Sequence, residues 1–233
     1  EARVPLPESP SGIRLVLGPT FMKPLLDGGS GEVFEPAGEF RGGPGATVGI
    51  GYDRGPVGLT VLMEFAGLEV GEPRERNGIG MGRESATARG FAGLVHWSPR
   101  WSVRRWRTVA TAGYARQQVG DVQLATDLLP SILQHATENG EPDAGEHVVS
   151  VSGGGARLGI GMERVLSGEY GLAGRLGILV EGSADLSILG TATAETRTGP
   201  LHTSRAALQD AGLSIVPRIA VLLRWSPRSA SAR

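Results

Sequence analysis

The chain has 233 residues with a net charge of −1, 40% hydrophobic residues and 20% charged ones. That composition excludes a disordered polymer and gives no bulk attraction to nucleic acid. The absence of cysteine excludes disulfides and thiolate metal sites, and no apolar run is long enough for a membrane-crossing helix.

Residues 1–11 carry Pro5, Pro7 and Pro10 without periodicity and read as an extended tail. From residue 12 the pattern is alternation. A first strand over 12–23 sets Ile13, Leu15, Leu17 and Phe21 against Arg14, Val16 and Thr20. A second, 46–52, sets Val48, Ile50 and Tyr52 against Thr47, Gly49 and Gly51, and Asp53-Arg54-Gly55-Pro56 forms a turn. A third, 57–70, alternates Val57, Leu59, Val61, Met63 and Phe65 with Gly58, Thr60, Leu62 and Glu64. The fourth, 87–97, and the weaker fifth, 106–118, follow. Strands six and seven are the two arms of Gly155–Leu189, and strand eight covers 212–225. Side chains alternate faces along a strand, so each has one apolar face and one bearing glycine and charge.

Connections near 25–45, 72–86, 120–153 and 190–211 are long, and those between them are short. Eight strands with this asymmetry fit an all-β, antiparallel up-and-down transmembrane barrel, with short periplasmic turns and long extracellular loops. The barrel is expected over 12–226, with a C-terminal tail at 227–233. In the longest loop Leu124, Leu128, Leu129, Ile132 and Leu133 recur at helical spacing behind Asp121, suggesting a short helix and a docking face for a protein partner.

The bulky apolar set exceeds what a narrow eight-stranded lumen holds, so it is assigned to lipid. The inward set then includes Arg14, Glu64, Arg157, Glu163, Arg175, Glu181 and Arg218, expected to pair across the lumen as a plug, together with Asp185 and Arg224. Inward glycines such as Gly49, Gly58, Gly159 and Gly177 leave room for these long side chains. Tyr52, Trp97, Trp101, Trp106 and Trp225 fall at short-turn ends, as an interfacial girdle would. The reversed assignment is a soluble lipocalin-like carrier. Pro19 and Pro217 fall on the strands that must close the sheet. They mark either a bulge near the rim or a weak seam that a lipid or small apolar solute crosses sideways, in a transporter or a lipid-modifying enzyme.

The eight alternating strands, the loop asymmetry and phrases such as GGGARLGIGMERVL and IAVLLRW resemble the OmpA/OmpX-like family of small outer-membrane barrels over 12–225. The resemblance implies residence in the outer membrane of a Gram-negative-type bacterium after removal of a leader, with lipopolysaccharide or an equivalent lipid as neighbour. Such barrels end on an aromatic residue; Trp225 matches, but eight residues follow it. His96-Trp97-Ser98 resembles the His-x-Ser of lipid A deacylase barrels, but no acid is visibly placed to orient His96, so catalysis is not expected. The four histidines lack metal-ligand spacing and the glycine-rich stretches lack the setting of a phosphate loop, so no cofactor or metal is expected.

Overall fold

The computed structural model describes residues 4–5, 12–26, 40–70, 74–76, 79–81, 84–98, 101–102, 106–124, 146–166, 174–197 and 203–227. Eight long strands dominate: β1 (Gly12–Met22), β2 (Phe40–Arg54), β3 (Val57–Val70), β4 (Glu84–Trp97), β5 (Trp106–Leu124), β6 (Glu146–Leu166), β7 (Gly174–Arg197) and β8 (Thr203–Pro227). Each pairs antiparallel with the next, and β8 returns to β1, so the sheet closes. In hydrocarbon, closure is obligatory, because an open edge would leave backbone donors and acceptors unpaired. Following the ladder from Leu15 through Ile50, Val61, Gly93, Tyr114, Ala156, Leu186 and Ile215 leads back to Leu25, where a two-residue strand, Leu25–Leu26, continues β1. The return lies ten residues from the start, and this shear tilts every strand and sets which inward residues are level.

The faces fall as alternation dictates. Ile160 is 65% and Val221 43% exposed, whereas Glu181 on the opposite face is 7% exposed. The outward rows of Leu, Ile, Val, Phe and Met form an apolar belt. This excludes the reversed, soluble assignment, which would put Ile160 and Val221 in the lumen. Tyr52 and Trp97 point outward at the short-turn end, and Trp106 and Trp225 are half-buried there, with the Arg164 guanidinium 5.9 Å from the Trp106 ring. Trp101 is paired through its backbone with Pro5, and Val4 with Ser102, so part of the expected tail lies against the turn after β4. Gly55, at φ 63°, and Pro56 make the two-residue turn between β2 and β3. A positive φ at the first central position followed by proline suits a type II′ hairpin.

Several strands run further than alternation predicts. β7 has 24 residues and β8 has 25, against the 9–11 or so that span a bilayer. Most of the expected loop 190–211 is therefore ladder, from Leu189↔Gly212 up to Arg197↔Thr203. Leu124 and Asp121 are likewise strand residues of β5, and Leu124 pairs with His147, so no helix begins at Asp121. Leu128, Leu129, Ile132 and Leu133 lie outside the described residues. Beyond the apolar belt neither face must be oily, so the period-2 signal fades while the backbone ladder continues.

The expected bulge at the prolines is absent. β1 and β8 keep one register from Met22↔Arg218 to Leu15↔Trp225. Register shifts occur instead between Phe40 and Gly42, between Val119 and Val122, between Ser150 and Gly153, and between Thr191 and Thr193, toward the long-loop ends of β2 and β5–β7. The prolines act differently. Lys23 N–H donates to the Pro217 carbonyl at 3.1 Å, so Pro217 turns its backbone nitrogen toward β1. In an antiparallel pair that direction recurs every second residue, so Pro19, opposite Val221, turns its own toward β8. Both missing donors thus fall in the one strand pair that closes the barrel. Amides of Phe21 and Ile219 are expected to exchange with deuterium faster than those of Leu179 and Leu222, which face each other in the β7–β8 ladder; equal protection would refute a weak seam.

Candidate functional site: the charged lumen

The inward side chains form three layers. Toward the long-loop end, Arg157 of β6 crosses the lumen to Glu64 of β3, donating from Nη1 to Oε1 at 3.0 Å and from Nη2 to Oε2 at 2.6 Å. The same guanidinium bonds Asp185 of β7 from Nε at 2.5 Å and Nη2 at 2.9 Å. Arg218 of β8 completes a quartet, reaching Asp185 at 3.0 Å and pairing with Glu64. Arg157 is 2% exposed and Asp185 0%, and the quartet is neutral. Charges this far from water persist only when paired and hydrogen-bonded, which two-forked guanidinium contacts achieve.

Below it lies an apolar belt of Val16, Leu62, Leu94, Val109, Leu179 and Leu222. A cavity of about 30 Å³ adjoins it, room for about one water, lined also by Arg14, His96, Thr111, Glu181 and Arg224. Glu181 approaches Thr111 Oγ1 at 3.5 Å and has no ion pair among the described residues.

At the short-turn end every strand but β3 contributes a titratable side chain: Arg14, Asp53, His96, Arg107, Glu163, Arg175 and Arg224. β3 contributes Gly58, where an added Cβ would collide with both His96 and Asp53. This glycine lets β2 and β4 side chains meet across the strand between them. His96 Nε2 lies 2.8 Å from Asp53 Oδ1, and Arg14 pairs with Asp53 and approaches both ring nitrogens, at 3.0 and 3.2 Å. An acid therefore does orient His96, contrary to expectation. No hydrogen bond joins His96 to Ser98, however; the Ser98 N–H donates to the Pro56 carbonyl at 2.8 Å, and Thr60 is the hydroxyl beside the ring, at 3.5 Å from Nδ1. On the opposite wall Glu163 receives Arg107 from Nε at 2.7 Å and Arg224 from Nη1 at 2.8 Å, both on Oε2. Gly177 gives Glu163 its space, since a Cβ there would stand 2.8 Å from Oε1.

Of the seven residues expected to form one network, Glu64, Arg157 and Arg218 meet in the upper layer, and Arg14 and Glu163 lie in the lower. Arg175 and Glu181 join no ion pair among the described residues. Asp53, Arg107 and Thr60 escaped sequence reasoning as partners, because shear rather than spacing brings them level. The signal for Asp53 was Gly58, an inward gap on the strand between β2 and β4.

No family of known proteins and no curated protein matches the chain. Among solved structures, a major outer membrane protein from Thermus thermophilus superposes with a TM-score of 0.52 at 10% identity, covering 91% of this chain and 98% of that one. The TodX monoaromatic hydrocarbon channel, as a deletion mutant, aligns at 9% identity and TM-score 0.31, over 95% of this chain and 91% of its own. The Ralstonia pickettii toluene transporter TbuX aligns at 9% and 0.36, over 94% and 90%. The last two scores are too low to bear on the argument. The closed sheet, the oily exterior and the Thermus likeness agree on the fold: an eight-stranded transmembrane β-barrel of the outer-membrane kind.

Proposed function

We propose that this chain is a small barrel of a Gram-negative-type outer membrane that conducts no solute and acts as a rigid anchor for binding at its long-loop end. The observation that carries this reading is the Glu64–Arg157–Asp185–Arg218 quartet standing across the lumen above an apolar belt. A permeant ion would have to break several desolvated pairs together and then pass the ring of Val16, Leu62, Leu94, Val109, Leu179 and Leu222. In planar bilayers the reconstituted barrel is expected to show no large, steady conductance; such a conductance would overturn the plugged-lumen reading. The eight strands and their loop asymmetry also support an OmpA/OmpX-like kinship, with lipopolysaccharide or an equivalent lipid around the belt. A protein partner at the long-loop end remains part of this reading, as does the absence of catalysis, since both ring nitrogens of His96 are engaged.

A second reading has one observation in its favour. The two donors removed by Pro19 and Pro217 both fall between β1 and β8. A lipid or small apolar solute entering sideways would use that seam. A Thr20→Cys, Ala220→Cys disulfide, across a directly opposed pair, abolishes uptake under this reading and leaves it unchanged under the first.

A further inference from the structure

We propose that the short-turn mouth of the lumen binds a dianionic oxyanion of the phosphate class, held by Arg107, Arg175 and Arg224. This goes beyond the anchoring role and rests on a charge imbalance. The upper quartet balances two arginines with two carboxylates. The lower wall does not. Arg107 sits opposite Glu163 in the β5–β6 ladder, and Arg224 opposite Gly177 in the β7–β8 ladder. Arg175 lies two residues before Gly177 on the same inward face, one rung nearer the mouth. Among the described residues three guanidinium groups therefore flank one carboxylate, an excess of two positive charges over Glu163.

Asp53 does not relieve it, being engaged by Arg14 and His96. Glu181 lies farther in, beside Thr111. Independently, Arg175 has no ion pair among the described residues, and its Nη2 is buried without a hydrogen-bond partner. Crowded like charges and an unbonded buried donor are both costly where water is scarce. A phosphate group resolves both. It carries about two negative charges near neutral pH and accepts from planar guanidinium forks at several oxygens. Arg175 is half-buried, so an anion arriving from water meets it first, with Arg107 and Arg224 behind.

The test uses the full chain refolded in detergent, titrated with inorganic phosphate at low salt by calorimetry. One saturable site per barrel is expected. Arg175→Gln should weaken it about tenfold, the loss of one charge-assisted contact, and Arg54→Gln, at the exposed β2–β3 turn, should not change it. Glycerol phosphate in a second arm separates sources: binding equal to phosphate means that the mouth admits substituted monoesters, and binding of phosphate alone means that it takes the free ion. Retained heat-modifiable gel mobility certifies that variants are folded. Should Arg175→Gln fail to fold, Arg175→Lys, which keeps the charge but loses the fork, is expected to bind more weakly. The absence of a saturable site in the native barrel, or unchanged affinity in a folded Arg175 variant, overturns the proposal.

Discussion

Arg157→Met is expected to lower the unfolding free energy of the barrel by about 3–5 kcal/mol, the cost of leaving buried charge without its partner. Arg157 is the only residue of the quartet that uses both forks of its guanidinium, one toward Glu64 and one toward Asp185. Methionine fills similar length but donates nothing. Arg218 would then face two carboxylates alone, with a net negative charge sealed in the lumen. Replacing Glu64 by Gln in the same background removes that excess and should recover part of the loss. Guanidinium-induced unfolding in lipid vesicles measures both variants. The substitution should not create a steady pore, because Val16, Leu62, Leu94, Val109, Leu179 and Leu222 still close the lumen below. A loss under about 1 kcal/mol would mean that the quartet is solvated rather than sealed.

The faces of this barrel were legible because period-2 alternation is a local property: Ile160 and Arg157 differ in destination by their place in the pleat alone. Partnership is not local. Glu64 meets Arg157 only because the closed sheet shears by ten residues, and that offset appears in no short window of sequence. Hence the inward charges were readable one by one, while their division into a neutral upper quartet and a positive lower ring was not. Gly58 shows where more could have been read. An inward glycine flanked on neighbouring strands by Asp53 and His96 marks a place where two side chains reach over a third strand. Strand ends are hard to read in the sequence for the converse reason. Beyond Ile188 on β7 and Leu213 on β8 there is no hydrocarbon to demand oily residues, so ladder as regular as Thr196↔Ser204 looked like loop. A proline's consequence depends on which neighbour its missing donor would have faced, and a single strand's sequence does not carry that.

The outward face yields the second large effect. Leu158 stands 65% exposed on β6, opposite Ala112 and Ala184, so its small neighbours leave it surrounded by acyl chains. It lies well above Trp106 and Arg164 at the short-turn boundary and below Ile188, the last large outward-facing apolar residue on β7. Arginine at such mid-depth in a transmembrane barrel costs about 2–4 kcal/mol, and near an interface about 0–1 kcal/mol. Leu158→Arg is therefore expected to destabilise the vesicle-embedded barrel by the larger amount. Met162→Arg, on the same face but four residues nearer the boundary, should cost distinctly less, since its guanidinium reaches headgroups by extending along the strand. The comparison holds residue type, strand and face constant and varies depth alone. Equal penalties at the two positions would mean that the oily exterior does not sit in a bilayer, and the transmembrane assignment would fall with it.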